Sequence, residues 1–227
     1  MIAAYDVWML RFRWTIVLAA GAAALLAQDS RTVVDNDQVR VIQVTQPPHQ
    51  KTRLHEHTIN RVMIYLQAGT QNLDYKDGRH VTLKWKAGDV KWSPASGMHV
   101  AEITSDQPVT IVEIELKKPG DSSKQATGPL DPVKLDPKDY HVLIENDQVR
   151  VLRATIAPGK STPVHEHLLN RVVTYLRDTK VRITTTDGAS QVSERKAGEV
   201  AFAGPAKHKE ENLNPTPFEV VAVELKN

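Results

Sequence analysis

The chain contains itself. The stretch "DNDQVRVIQVTQPPHQKTRLHEHTINRVMIYL", from Asp35, aligns without a gap on "ENDQVRVLRATIAPGKSTPVHEHLLNRVVTYL", from Glu145, with about half the positions identical. The offset is a constant 110 residues, and it carries through Asp77-Gly78 against Asp187-Gly188 and "KAGDV" against "KAGEV". It slips by one between His99 and His208, which places a one-residue deletion in the loop before His208. A fixed long period means that one structural unit is made twice, so the fold of either half is the fold of both. The units run over 30–119 and 139–227, each about 90 residues. Between them, residues 120–138 are rich in Pro, Gly, Ser and charge and read as an exposed linker.

Each unit is patterned as strands and turns. "VRVIQV" and "VRVLRA" alternate apolar with polar residues, and "RVMIYL", "HVTLKW" and "TIVEIEL" are rich in β-branched and aromatic side chains. The two Asp-Gly pairs sit between such runs and favour the positive φ of a tight hairpin. The shared "NDQVR" segments read as turns entering a strand. Helical periodicity is absent over any useful length. A short all-β unit must pair or close its edges, so the expected fold is all-β: two tandem jelly-roll barrels, of the double-stranded β-helix type.

Histidine placement gives the chemistry. Residues two apart on a strand share a face, so His55 and His57 point inward while Glu56 points out, with Cα atoms roughly 6.5–7 Å apart. His165 and His167 repeat the arrangement, and each unit adds one late histidine, His99 or His208. Three neutral imidazoles with water completing the shell form an open site for a divalent transition metal: Zn, Fe, Ni, Cu or Mn. A single His-x-His would more often be packing or surface decoration. A pair repeated at one offset, each with its third histidine, favours metal.

Composition narrows the rest. The net charge of +2, without a basic run, offers nothing to nucleic acid. No cysteine is present, so disulfides and thiolate sites are excluded. Arg11 and Arg13 precede an apolar run from Trp14 to Ala27, which has the pattern of a secretory signal peptide over 1–27. The mature protein is therefore expected in the periplasm or secreted, with no stable membrane association. No serine–histidine–aspartate set, phosphate loop or nucleotide fingerprint occurs.

These residues resemble the cupin superfamily. Gly159, then five residues, then His165-Glu166-His167 fits the opening of the first cupin motif, and the first unit has His49 where the glycine would stand. The closing glycine is kept as Gly69 and replaced by Thr179. Gly88, Pro94 and His99, with Gly97 shifted, fit the second motif, as do Gly198, His208 and Asn212. The resemblance implies a bicupin whose barrels pair within the chain; a homo-oligomer is compatible with it. Metal-binding cupins usually add a motif glutamate, but that place falls on Arg61 or Val62 and on Arg171 or Val172. A three-histidine site is what carries over, and the missing anionic ligand favours Zn, Fe or Cu over Mn.

Arg61 and Arg171 have two readings. Pointing inward, they are substrate-binding residues that grip a carboxylate. Pointing outward, which is the expectation, they pair with Glu56 and Glu166. Glu113, Glu115 and Glu224 alternate with apolar residues and are expected to face solvent. Trp85, Trp92, Tyr65 and Tyr175 are expected in the core or on a sheet face. Two functions follow: a metal-dependent, dioxygenase-like enzyme acting on a small polar molecule, or a metal-free module binding a sugar or organic acid. The sequence identifies no catalytic base.

Overall fold

The computed structural model describes residues 29–227. The expected signal peptide lies outside them. The first half runs β1 (Asp29–Asp35), β2 (Val39–Gln46), β3 (His55–His57), β4 (Arg61–Tyr65), β5 (Gly69–Tyr75), β6 (His80–Trp85), β7 (Val90–Ser93), β8 (Ser96–Ile103) and β9 (Val109–Leu116). A single-turn helix α1 (Pro132–Leu135) follows. The second half runs β10 (Tyr140–Glu145), β11 (Val149–Ile156), β12 (His165–His167), β13 (Arg171–Tyr175), β14 (Thr179–Thr185), β15 (Ser190–Arg195), β16 (Val200–Ala203), β17 (Ala206–Asn212) and β18 (Phe218–Leu225).

Each half is two antiparallel sheets curled around a cavity. A five-stranded sheet in the order β1-β2-β9-β4-β7 faces a four-stranded sheet β3-β8-β5-β6, and β10-β11-β18-β13-β16 faces β12-β17-β14-β15. Sequence-distant strands pair, as the double-stranded β-helix requires: β2 lies against β9 and β3 against β8. Local chemistry sets the turns. Asn36 and Asn146 each accept from the backbone N–H groups two and three residues on, which turns "NDQVR" into β2 and β11. Gly78 and Gly188 take φ of +90° and +87° and close the β5–β6 and β14–β15 hairpins.

The five-stranded sheets pack against each other. Val39, Val41, Val62, Val112 and Ile114 from one half share a buried cluster with Val149, Val151, Val172, Val221 and Val223 from the other. Polar contacts repeat with the roles of the halves exchanged. Asn60 donates to Gln148 at 2.5 Å and Asn170 to Gln38 at 2.7 Å. Gln43 reaches the carbonyl of Gly198, and Arg153 that of Gly88. Each residue in these pairs is the repeat partner of one in the other, so the interface has the self-complementary form of a two-fold dimer.

Three expectations change. The extra residue of the first half is not in a loop. It sits within β8 as an irregularity opposite β3, where His55 pairs with His99 and His57 with Ser96, whereas β12 and β17 pair without interruption. The connection between barrels is not simply exposed: Ala126, Asp131 and Pro132 are buried against the second barrel. The inner strands of the large sheets have no solvent face. One side of β9 and β18 meets the other barrel and the other side meets the cavity, so Glu113, Glu115 and Glu224 are buried rather than solvated.

Candidate metal centre

The structure brings the six histidines together as two triplets. In each, one nitrogen per ring lies within 4.8 Å of the others. Strand parity turns His55 and His57 to the same side, and the β3–β8 pairing puts His99 opposite His55. The β12–β17 pairing does the same for His165 and His208. Ring centroids are 4.5–5.5 Å apart in the first triplet and 4.6–5.7 Å in the second.

Hydrogen bonds fix which nitrogens point in. Nδ1 of His55 lies 2.8 Å from Arg53 O, that of His99 3.0 Å from Gly97 O, and that of His165 3.1 Å from Pro163 O. A carbonyl only accepts, so these Nδ1 atoms carry the proton and each Nε2 keeps a lone pair. His167 Nδ1 lies 2.7 Å from Glu224 Oε1. This outer support is what metal-bound imidazoles usually have. Nε2 of His165 is buried with no partner among the described residues. A buried, unpartnered lone pair facing two other imidazoles suits a soft-to-borderline cation, so the residues of the second barrel fit a divalent transition metal.

Electrostatics support the same state. Burial pushes His57 down to about 3, helped by Arg61, and lowers His165 and His167 as well. These imidazoles are therefore neutral at ordinary pH, the form that binds metal. Burial pushes Glu224 up to about 7 against the pull of Arg150 and Arg171. Glu210 goes the other way. Burial opposes its charge, while the imidazole of His208, 3.7 Å from its Oε1, and those of His165 and His167 lower its pKa when they carry a proton.

Neither arginine points outward, which corrects the surface ion pairs expected with Glu56 and Glu166. Arg61 and Arg171 are only 5% and 8% exposed. Arg61 Nη1 lies 2.7 Å from Glu113 Oε2 and 2.9 Å from His57 Nε2, while Nη2 donates to Ser93. Arg171 Nη1 donates to Gly204 O. Both line the cavities beside the histidines, about 430 Å³ in the first barrel and 290 Å³ in the second. Of the aromatics, Tyr65 stacks on Trp85 at 4.1 Å within the first barrel's core, and Tyr175 lines the second cavity.

Two inner carboxylates were not anticipated. Glu113 lines the first cavity and Glu210 the second, the latter accepting from Tyr140 Oη at 3.3 Å. Glu210 follows His208 by two residues on one strand, so the period-two rule that placed the histidines also placed it.

No protein-family model matches the chain, and no curated protein does. Solved structures do. A single-substitution variant of the oxalate decarboxylase of Bacillus subtilis superposes with a TM-score of 0.61 at 14% identity, over 88% of this chain and 73% of that one. AerE from Microcystis aeruginosa gives 0.60 at 14%, over 88% and 98%. The cupin 2 conserved barrel domain protein from Leptotrichia buccalis gives 0.54 at 14%, over 88% and 89%. The fold is the cupin fold, in tandem. At this identity the likeness shows the cupin architecture alone, and the chemistry must be argued from the side chains.

Proposed function

We propose that this is an exported metal-dependent enzyme of the dioxygenase-like or related kind, acting on a small polar molecule in a barrel cavity. The metal would be held by His165, His167 and His208, and in the first barrel by His55, His57 and His99. The observation that carries the proposal is the partnerless Nε2 of His165, fully buried and within a ligand's reach of the other two rings. A bound divalent ion would supply Lewis acidity toward an oxygen donor. The chain supplies the rest. Glu224 fixes His167, Glu210 places a carboxyl group at the cavity wall, and Arg171 offers donors to an anionic group. A structure of the B. subtilis decarboxylase describes Mn(II) centres in that protein. Here the all-nitrogen donor set favours Zn, Fe, Ni or Cu over Mn.

The first barrel supports a second role. Arg61 Nη1 already occupies the Nε2 lone pair of His57, so an ion there must displace that contact. One barrel carrying the metal and the other serving as a metal-free binding module for a small polar molecule such as a sugar is consistent with this difference.

Elemental mass spectrometry of the untagged mature chain tests the proposal. A stoichiometric transition metal that falls on His165→Ala with His167→Ala supports it. A metal-free protein whose melting ignores added Zn²⁺, Fe²⁺ and EDTA rules it out. Export is tested by the N-terminal sequence of the protein from the periplasm or medium: a start near Gln28 is expected, and an intact Met1 would contradict it.

A further inference from the structure

The barrels have exchanged an inner carboxylate between strands. Glu115 and Glu224 hold the same ladder position, opposite Arg61 and Arg171, so Glu113 and Ala222 are repeat partners. Ala101 and Glu210 are partners too, opposite Leu73 and Ile183. All four line a cavity. In the first barrel Glu113 neutralises Arg61 at 2.7 Å. In the second, alanine stands in its place. Arg171 has no carboxylate within 4.0 Å among the described residues, and its only hydrogen bond there goes to Gly204 O. Glu210 and Glu224 act on it only from further away.

The cavity walls differ in the same sense. The second is mostly apolar, with Leu152, Val173, Ile183, Phe218 and Val220 around Arg171, and has the room of about ten waters. The first presents Gln46, Gln71, Arg79, Lys91 and Ser93. A nearly buried guanidinium lacking a close anion, set in an apolar chamber, is complementary to a carboxylate on an apolar body. The carboxyl group of Glu210 lies on the same wall, so a second acidic group on the ligand would face another acid.

We propose that the second barrel binds a small monocarboxylic acid with an apolar body, its carboxylate held by Arg171, and that Arg61 does not play this part in the first barrel because Glu113 already pairs with it. This rests on the barrel cavities being ligand sites and not on the metal.

The test titrates 4-fluorobenzoate and its neutral amide into the full mature chain, followed by fluorine NMR. It is run with and without EDTA, with metal content measured on the same samples. The acid is expected to bind at least about ten-fold tighter than the amide, and Arg171→Gln to weaken it by about ten-fold or more. Ala222→Glu should do the same by pairing Arg171 internally, which keeps the test decisive if Arg171→Gln does not fold. Arg61→Gln should leave it unchanged, and Glu113→Ala should add a carboxylate site. Equal affinity for acid and amide, or no binding of the acid, overturns the proposal. So does acid binding that survives both Arg171→Gln and Ala222→Glu but is lost on EDTA, because the ion would then be the receptor. Arg171-dependent binding by metal-free protein leaves the proposal standing while the metal centre falls.

Discussion

The two barrels share a fold and three histidines each, yet one triplet is sealed and the other is half open. His165, His167 and His208 are all buried, whereas His55 and His57 are only partly covered. The difference comes from the connection between the halves. Glu166 N donates to Leu130 O at 2.9 Å, which lays the connecting segment along β12. Arg150 then clamps it, with both Asp131 oxygens at 3.0 Å from Nη2. The repeat partner of Arg150 is Arg40, which pairs with Glu115 at 2.6 Å but is half exposed. No described segment covers β3. Duplicated units therefore diverged less in their ligands than in what lies over them and in the charges facing their cavities.

The comparison can be broken at the clamp first. Asp131→Ala leaves buried Arg150 with the longer contacts to Glu224 at 3.4 Å and Glu145 at 3.9 Å, and should destabilise the protein by about 3 kcal/mol. In the same variant, metal in the second barrel should become as quickly strippable by EDTA as metal in the first. Urea unfolding and timed chelation read the two effects, and an unchanged stripping rate would show that the segment is not the cover. Next comes Gly69, where an added Cβ would meet Trp85 and Val109 at 2.9 Å. Gly69→Ala should cost about 2 kcal/mol by overpacking. At the matching place Thr179 faces Arg195 instead of a tryptophan, and Thr179→Ala should cost about 1 kcal/mol or less, measured the same way. Arg40→Ala should cost about 1 kcal/mol, since its charge is already in contact with water. A loss equal to that of Asp131→Ala would remove the distinction between the clamps. Smallest is His49, which takes φ of +56° where its partner Gly159 takes +68°. His49→Gly should raise stability by up to about 1 kcal/mol by relieving the left-handed conformation. A fall in melting temperature would mean that its contact with Asp106 matters more.

Much of this was legible beforehand. The duplication located the halves, and the two-residue period placed His55 with His57 and His165 with His167. Pairing between distant strands, which brings His99 and His208 to them, was signalled only by their repetition. The charged residues were misjudged for one reason. Alternation alone suggests core against water, but β9 and β18 alternate between the other barrel and the cavity. Val112 and Ile114 meet the other barrel while Glu113 enters the cavity. A polar residue in such a strand marks an interior site and not a surface. Arg61 and Arg171 face inward for the same reason, since each stands across from β9 or β18; Arg61 meets Glu113 there, and Arg171 meets the carbonyl of Gly204.

The cluster that both large sheets build between them has a thermodynamic consequence. Because valines of each half complete the packing of the other, neither half can melt and leave its neighbour intact, and a calorimeter should register one transition for residues 29–227. An ion or acid captured on one side would then raise the unfolding temperature of the whole molecule, so occupancy of a single chamber protects its twin.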